Sequence, residues 1–203
     1  MMVVMKDDHN RNRRDLVILV DENDRELGLA DKLIVHEQGL LHRAVSVFLF
    51  NEKGEILLQR RARSKYHSPD LLSNSCCTHP LEGESIADAA NRRLKEELGI
   101  AEVSLQSAGD AIYRLALSDG MIEHELDHLF IGYYDGAFVL DSNEVSEVVW
   151  RDINRVHKDM TLHPEYYTAW FRILLPALAE AVDISTGSLR EPVRLRHAAF
   201  SGK

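Results

Sequence analysis

The chain has 203 residues, enough for one domain with a substantial core, and its 24 Lys plus Arg against 33 Asp plus Glu leave a formal net charge of −9. That balance disfavours a nucleic-acid partner, which needs a basic face, yet leaves room for a local basic pocket around a small anion. No apolar run of about 18 residues exists to span a bilayer, the opening from Met1 to Arg14 lacks the apolar core of a secretion signal, and two adjacent cysteines form no disulfide framework, so the expected setting is the reducing cytoplasm, away from any membrane.

Residues 1–14 are expected to form a flexible N-terminal segment, and residues 15–184 a single domain. Leu16-Val17-Ile18-Leu19-Val20 predicts a buried strand, ended by the turn-like Asp21-Glu22-Asn23-Asp24. The segment from Glu26 to Ile34 is expected to return as a second strand or lead into a loop. Val45 to Phe50 and Ile56 to Gln59 enclose Asn51-Glu52-Lys53-Gly54, turn residues between two β-rich runs, and predict a hairpin. A basic stretch with Arg60, Arg61, Arg63 and Lys65 follows. A helix is predicted from about Ser85 to Leu98, closed by Gly99. Strands are then expected at Ala101 to Gln106, Asp110 to Leu117, Glu125 to Tyr134 and Glu147 to Arg151. A short helix or turn follows at Asp152 to Lys158, and a longer helix over Pro164 to Val182. Ser185 to Lys203 shows no convincing period and is expected to be a mobile tail. This order argues an α+β or mixed-sheet domain rather than a doubly wound one.

Chemistry concentrates around a few residues. His36, His42, His79, Glu123 and Glu125 are expected beside strand or loop segments. In an extended strand Glu123 and Glu125 share a face, about 7 Å apart. Such carboxylates either sit in water or share a cation, and with three histidines they suit an octahedral divalent site. His9, His67, His128, His157, His163 and His197 carry no motif and are read as surface or core. Cys77, separated from His79 by one residue, can serve as a nucleophile or acid/base if a bound metal or cationic groups lie near it, or can simply pack. In an extended segment Cys76 faces the opposite way, into the core.

The helix end Arg92-Arg93-Leu94-Lys95-Glu96-Glu97-Leu98-Gly99-Ile100 is similar to the Nudix signature, whose glutamates bind divalent cations complexed to a diphosphate. Thr78 stands at the signature's first glycine, Glu84 at its first glutamate, and Arg93 where a metal-binding glutamate is expected. Leu41-His42-Arg43-Ala44, Arg60-Arg61, Asn74-Ser75-Cys76-Cys77-Thr78-His79-Pro80 and Glu123-His124-Glu125, in that order, resemble the type I isopentenyl-diphosphate delta-isomerase family.

The resemblance covers roughly Leu16 to Leu175. It implies a Nudix-like sandwich of mixed β-sheets flanked by helices, and a 1,3-proton shift interconverting isopentenyl and dimethylallyl diphosphate. It further implies His36, His42, His79, Glu123 and Glu125 as ligands of one divalent metal, Mg²⁺ or Mn²⁺ and at a stretch Zn²⁺. Cys77 and Glu125 become the proton-transfer pair, with Tyr113 a hydroxyl close to them and Trp170 an aromatic wall. Glu97 would hold a second Mg²⁺ on the diphosphate, and Arg61 and Lys65 would contact the anion. The partner is thus a small diphosphate, the chain working as a monomer or weak dimer. A Nudix hydrolase of a nucleoside or isoprenoid diphosphate is the alternative, and a non-catalytic binding domain a third; Arg93 counts against hydrolysis.

Overall fold

A computed structural model of the protein describes residues 15–65, 67–117, 120–183 and 188–200. The N-terminal segment expected to be flexible lies outside the described residues, apart from the start of the domain at residue 15. The elements run β1 (Leu16–Val20), β2 (Glu26–Asp31), α1 (Lys32–Gln38), β3 (His42–Phe50), β4 (Glu55–Arg61), β5 (Leu72–Ser73), β6 (Cys76–Thr78) and α2 (Ile86–Leu98). There follow β7 (Leu105–Ala116), β8 (Ile122–Tyr133), β9 (Val145–Asp152), α3 (Ile153–Leu162), a 3-10 turn (Pro164–Tyr166), α4 (Ala169–Ala181), β10 (Val182–Asp183), β11 (Ser188–Leu189) and β12 (Val193–Phe200).

The apolar run of β3 is explained by burial on both faces. Val45, Val47 and Leu49 pack beneath α2 with Ala90, Leu94 and Leu98. Phe48 and Phe50 pack beneath α4 with Phe171, Leu174 and Leu178. The sheet is therefore a layer between helices, with strand order β12-β7-β8-β3-β1-β2 and a branch in which β4 joins β3 to β5 and β9. It is mixed: β3 runs parallel to β8 and β12 parallel to β7, the other pairs being antiparallel. The expected α+β class with mixed sheets and flanking helices is what is found.

Local differences have physical causes. The predicted hairpin closes only at Phe50↔Ile56; beyond it β3 turns to β6 and β8 while β4 turns to β9, because each strand has a better partner elsewhere. The two strands expected either side of Ser107 are one strand, β7, bulged between Ser107 and Gly109. The segment after Ala30 becomes a helix: the Asp31 side chain accepts from the Leu33 and Ile34 N–H groups, and Gly39 closes α1 at φ 63. The long C-terminal helix begins at Ala169 rather than Pro164. Tyr167 bridges to Leu72, and Thr168 N–H donates to the Leu72 carbonyl at 2.9 Å, so that stretch is spent on sheet pairing and Trp170 falls in the first turn of α4.

Of the segment expected to be a mobile tail, residues 185–187 and 201–203 lie outside the described residues, and 188–200 carry β11 and β12. Val193–Phe200 docks parallel to β7, starting at Val193↔Gly109. The alternation Val193-Arg194-Leu195-Arg196 is a half-buried strand signal, and β7 offers an otherwise open edge. Gly109, at φ 111, permits the approach: a Cβ there would lie 2.1 Å from the Val193 carbonyl oxygen. Gly109→Ala is accordingly expected to undock β12, costing about 1–3 kcal/mol. Hydrogen exchange should then lose protection at 193–200 while β3 stays protected; unchanged protection there would contradict the docking.

Candidate active site

Strand register does most of the work of assembling the site. His42 on β3 pairs with Glu125 on β8, and Glu125 in turn pairs with Tyr113 on β7. Three neighbouring strands thus place an imidazole, a carboxyl and a phenol in one row. On the other side of β3, Ser46 pairs with Cys77 of β6, and His79 follows two residues later. His36 arrives from α1 instead, against the expectation of a strand or loop. That helix is tied to β8 by the His124 ring, which donates Nδ1–H to the Gly39 carbonyl at 2.9 Å.

Of these, His36, Cys77, His79 and Glu125 line one cavity of about 240 Å³, while His42, Ser46 and Tyr113 stand behind its lining. His36, His42, His79 and Glu125 each offer a ligand atom, all within 4.8 Å of one another. His42 Nε2 lies 3.2 Å from His79 Nε2, and Glu125 Oε1 lies 3.1 Å from His79 Nε2 and 3.5 Å from His42 Nε2. Glu123 joins through His36, with Oε2 3.2 Å from His36 Nε2.

The donor set fits a divalent cation. His36 and His42 donate Nδ1–H to the Lys32 and Leu40 carbonyls at 2.6 and 2.9 Å, which turns the Nε2 of each ring inward. His36 Nε2 is buried, its 3.2 Å neighbour Glu123 Oε2 lying in contact but out of hydrogen-bonding geometry. Burial pushes His79 down to about 3, so a proton does not supply the positive charge there. Burial works against the charge on Glu125, whose Oε1 faces the His42 and His79 ring nitrogens. Imidazole nitrogens and carboxylate oxygens converging in this way suit Mg²⁺, Mn²⁺ or Zn²⁺.

The two cysteines part company as expected. Both thiols are free. Cys76 is fully buried in the core beneath α2, while Cys77 is partly buried and lines the cavity. Cys77 Sγ lies 3.4 Å from Ser46 Oγ and 3.2 Å from the Asn74 Oδ1 acceptor, and burial pushes its thiol up to about 12. The Tyr113 hydroxyl bonds Glu125 Oε2 and lies 3.2 Å from Asp127 Oδ2. Trp170 is held by its Nε1–H, which donates to Ser73 Oγ at 3.1 Å. The Arg61 guanidinium sits 5.3 Å over the indole and is pinned by the Ser68 and His67 carbonyls.

Charges around the mouth are paired. Lys65 bonds Glu144 at 2.6 Å. Glu97 receives Gln59 at 2.8 Å and Arg93 at 2.6 Å, and Glu96 and Glu144 also contact Arg93. Arg93, occupying the place of a signature glutamate, is thus a built-in cation among three carboxylates. Arg60, taken with Arg61 as part of the basic pocket, instead bonds the Asp70 carbonyl and Glu147 and does not line the cavity.

Sequence reasoning missed Lys32, His67, Ser46 and Asp127. Lys32 and His67 line the cavity; His67 was set aside as surface or core. Its ring packs edge-on against Trp170, with centroids 5.7 Å apart, and burial, then the Arg61 charge, pushes it down to about 2. Asp127 had a readable signal, since it follows Glu123 and Glu125 at the strand period of two. Ser46 had another, as the one hydroxyl inside the apolar run of β3.

Comparison with known proteins finds relatives along most of the chain. A NUDIX domain model matches residues 40–171. The protein named Isopentenyl-diphosphate Delta-isomerase 2 of Aromatoleum aromaticum is 45% identical over 161 residues, which cover 79% of this chain and 85% of its own. That named Isopentenyl-diphosphate Delta-isomerase of Serratia proteamaculans is 44% identical over 164 residues, 81% of this chain and 91% of its own. Among solved structures, DR0079 from Deinococcus radiodurans superposes with a TM-score of 0.66 at 20% identity, over 79% of this chain and 97% of its own, a likeness of fold alone.

Proposed function

Because the chain belongs to the isopentenyl-diphosphate Delta-isomerase family of NUDIX-domain proteins, it is an isomerase acting on a small diphosphate, and we propose that Cys77 and Glu125 are the pair that moves the protons. The reaction is the 1,3-allylic shift that interconverts isopentenyl and dimethylallyl diphosphate. The observation that carries the assignment is that Cys77, Glu125 and Trp170 line the same cavity as Lys32, Arg61 and Lys65. One enclosure therefore offers proton-transfer groups, an aromatic wall and cationic side chains.

The chemistry asks for this combination. Protonating an unactivated alkene gives a tertiary carbocation, which water would trap. Trp170 and Leu81 on the cavity wall exclude water from the carbons. The indole quadrupole stabilises the cation, by about 2 kcal/mol when desolvated. One member of the pair delivers a proton to one end of the allylic unit; the other takes a proton from the far end, across the flat substrate. The reverse reaction exchanges their roles. Tyr113 keeps the Glu125 carboxyl oriented through its hydroxyl.

Arg61, Lys65 and Lys32 hold the diphosphate, Arg61 by a planar fork suited to phosphate oxygens. His36, His42, His79, Glu123 and Glu125 would hold one divalent metal, and Glu97 a Mg²⁺ carried in on the diphosphate. A cation bound among these groups neutralises anionic charge and fixes the geometry of Glu125. Mg²⁺ or Mn²⁺ matches the mixed nitrogen and oxygen donors, with Zn²⁺ less suited to so many ligands. We read the chain as cytoplasmic, consistent with two free thiols and with no helix among the described residues long and apolar enough to cross a membrane. We read the assembly as a monomer or weak dimer.

Hydrolysis is disfavoured by Arg93, a cation paired with Glu96, Glu97 and Glu144 where the hydrolase signature has a further metal-binding glutamate. Incubation with isopentenyl diphosphate and Mg²⁺ is expected to yield dimethylallyl diphosphate with the diphosphate intact. Release of inorganic phosphate or a monophosphate in its place would overturn the reading.

A further inference from the structure

Beneath the cavity, four strands carry a continuous polar path from Cys77 to Glu125. Ser46 Oγ–H donates to Asp127 Oδ2 at 2.7 Å. Its single proton is used there, so toward Cys77, 3.4 Å away, Ser46 offers an acceptor that shares the one S–H with Asn74 Oδ1 at 3.2 Å. The Tyr113 hydroxyl lies between the same Asp127 oxygen, at 3.2 Å, and Glu125 Oε2. Asp127 is 0% exposed, and its second oxygen, Oδ1, is buried without a hydrogen-bond partner.

A carboxyl in that position is costly for folding. It lies in the sheet interior, on the same face as Glu123 and Glu125, with one oxygen unsatisfied and no ion pair to it among the described residues. An apolar residue of similar size would suit the adjoining core better. Its two hydrogen-bonding neighbours are the residues that contact Cys77 and Glu125. The arrangement makes Asp127 a common anchor for groups on β3 and β7.

We propose that Asp127, acting through Ser46 and Tyr113, is the positioning residue that fixes the Cys77 thiol and the Glu125 carboxyl relative to one another. The proposal rests on the reading of Cys77 and Glu125 as the proton-transfer pair. Asp127 and Ser46 need not touch substrate; they hold the reacting atoms where both ends of the allylic unit can be reached at once.

The test compares kcat, KM and melting temperature for Ser46→Ala, Ser46→Thr and Asp127→Asn, with Cys77→Ala as a control. Ser46→Ala and Asp127→Asn are expected to lower kcat by about 100-fold, the scale of a 1 Å misplacement of a reacting group, at nearly constant KM. The melting temperature of Asp127→Asn should hold or rise, which a purely structural role would not allow. Ser46→Thr, which keeps the hydroxyl, should recover most of the loss. The double variant Ser46→Ala/Asp127→Asn should fall no further than the worse single variant. Wild-type kcat in Ser46→Ala and Asp127→Asn, alongside an inactive Cys77→Ala, would overturn the positioning role and leave the proton-transfer pair standing. An active Cys77→Ala would instead overturn that pair, and the proposal with it. A kcat loss accompanied by an equal rise in KM and a lowered melting temperature would assign Asp127 to stability alone. Should Asp127→Asn not fold, the Ser46→Ala and Ser46→Thr pair decides by itself: loss with Ala and recovery with Thr supports the proposal, and equal loss in both overturns it.

Discussion

Cys77→Ala is expected to lower isomerisation by about 10⁴-fold, the upper end of what a positioned acid or base contributes, whereas Cys76→Ala should turn over at nearly the wild-type rate. The two thiols are adjacent in sequence but face opposite sides of β6. Cys77 opens on the cavity beside Ser46 and Asn74; Cys76 packs with Val47, Ala90 and Leu94. Alanine at 76 removes one buried sulfur, at a cost of about 1 kcal/mol, and leaves the cavity lining unchanged. Steady-state assays of the two variants, with melting curves to show that each is folded, give the answer. An inactive Cys76→Ala beside an active Cys77→Ala would reverse the assignment.

Glu125→Gln is expected to remove both activity and bound metal. Its carboxyl faces His42 and His79 with one oxygen and the Tyr113 hydroxyl with the other, so the amide loses an anionic ligand and a proton acceptor in one substitution. The activity should fall by about 10⁴-fold, with the divalent-ion content of the purified protein, measured by atomic emission, dropping in parallel. Chelation of the wild-type protein should likewise abolish turnover, and added Mg²⁺ or Mn²⁺ should restore it. Full turnover in excess chelator would contradict a metal role for the histidine and glutamate cluster.

The parts of the molecule that were legible in the sequence are those whose signal is local. The helix ending at Gly99 follows from periodicity and a left-handed C-cap, and the opposed faces of Cys76 and Cys77 follow from strand alternation. What was not legible depends on partners distant in the chain. Val45 to Phe50 reads as half of a hairpin, but its hydrogen bonds go chiefly to β6 and β8. Val193 to Phe200 looks like a tail until the open edge of β7 supplies a partner. His36 was misplaced because the Asp31 cap and the Gly39 stop, both local signals of a short helix, were passed over.

The candidate site divides in the same way. Residues within motifs, such as His42, His79, Glu123 and Glu125, could be named because the resemblance carries them. His67, Lys32, Ser46 and Asp127 lie outside those motifs, and their relevance comes from which strands and loops meet. His67 reaches the cavity because its loop is drawn in by Arg61, which bonds the His67 and Ser68 carbonyls. No window of sequence shows that contact.

The central claim, that this cavity transposes a double bond by adding a proton at one carbon and removing one at another, is tested most directly by running the reaction in D₂O with isopentenyl diphosphate and Mg²⁺ and following the product by NMR. The account predicts dimethylallyl diphosphate that carries solvent deuterium on carbon, with its diphosphate intact. Cleavage of the diphosphate without transposition of the double bond, or a transposed product free of deuterium after many turnovers, would contradict it.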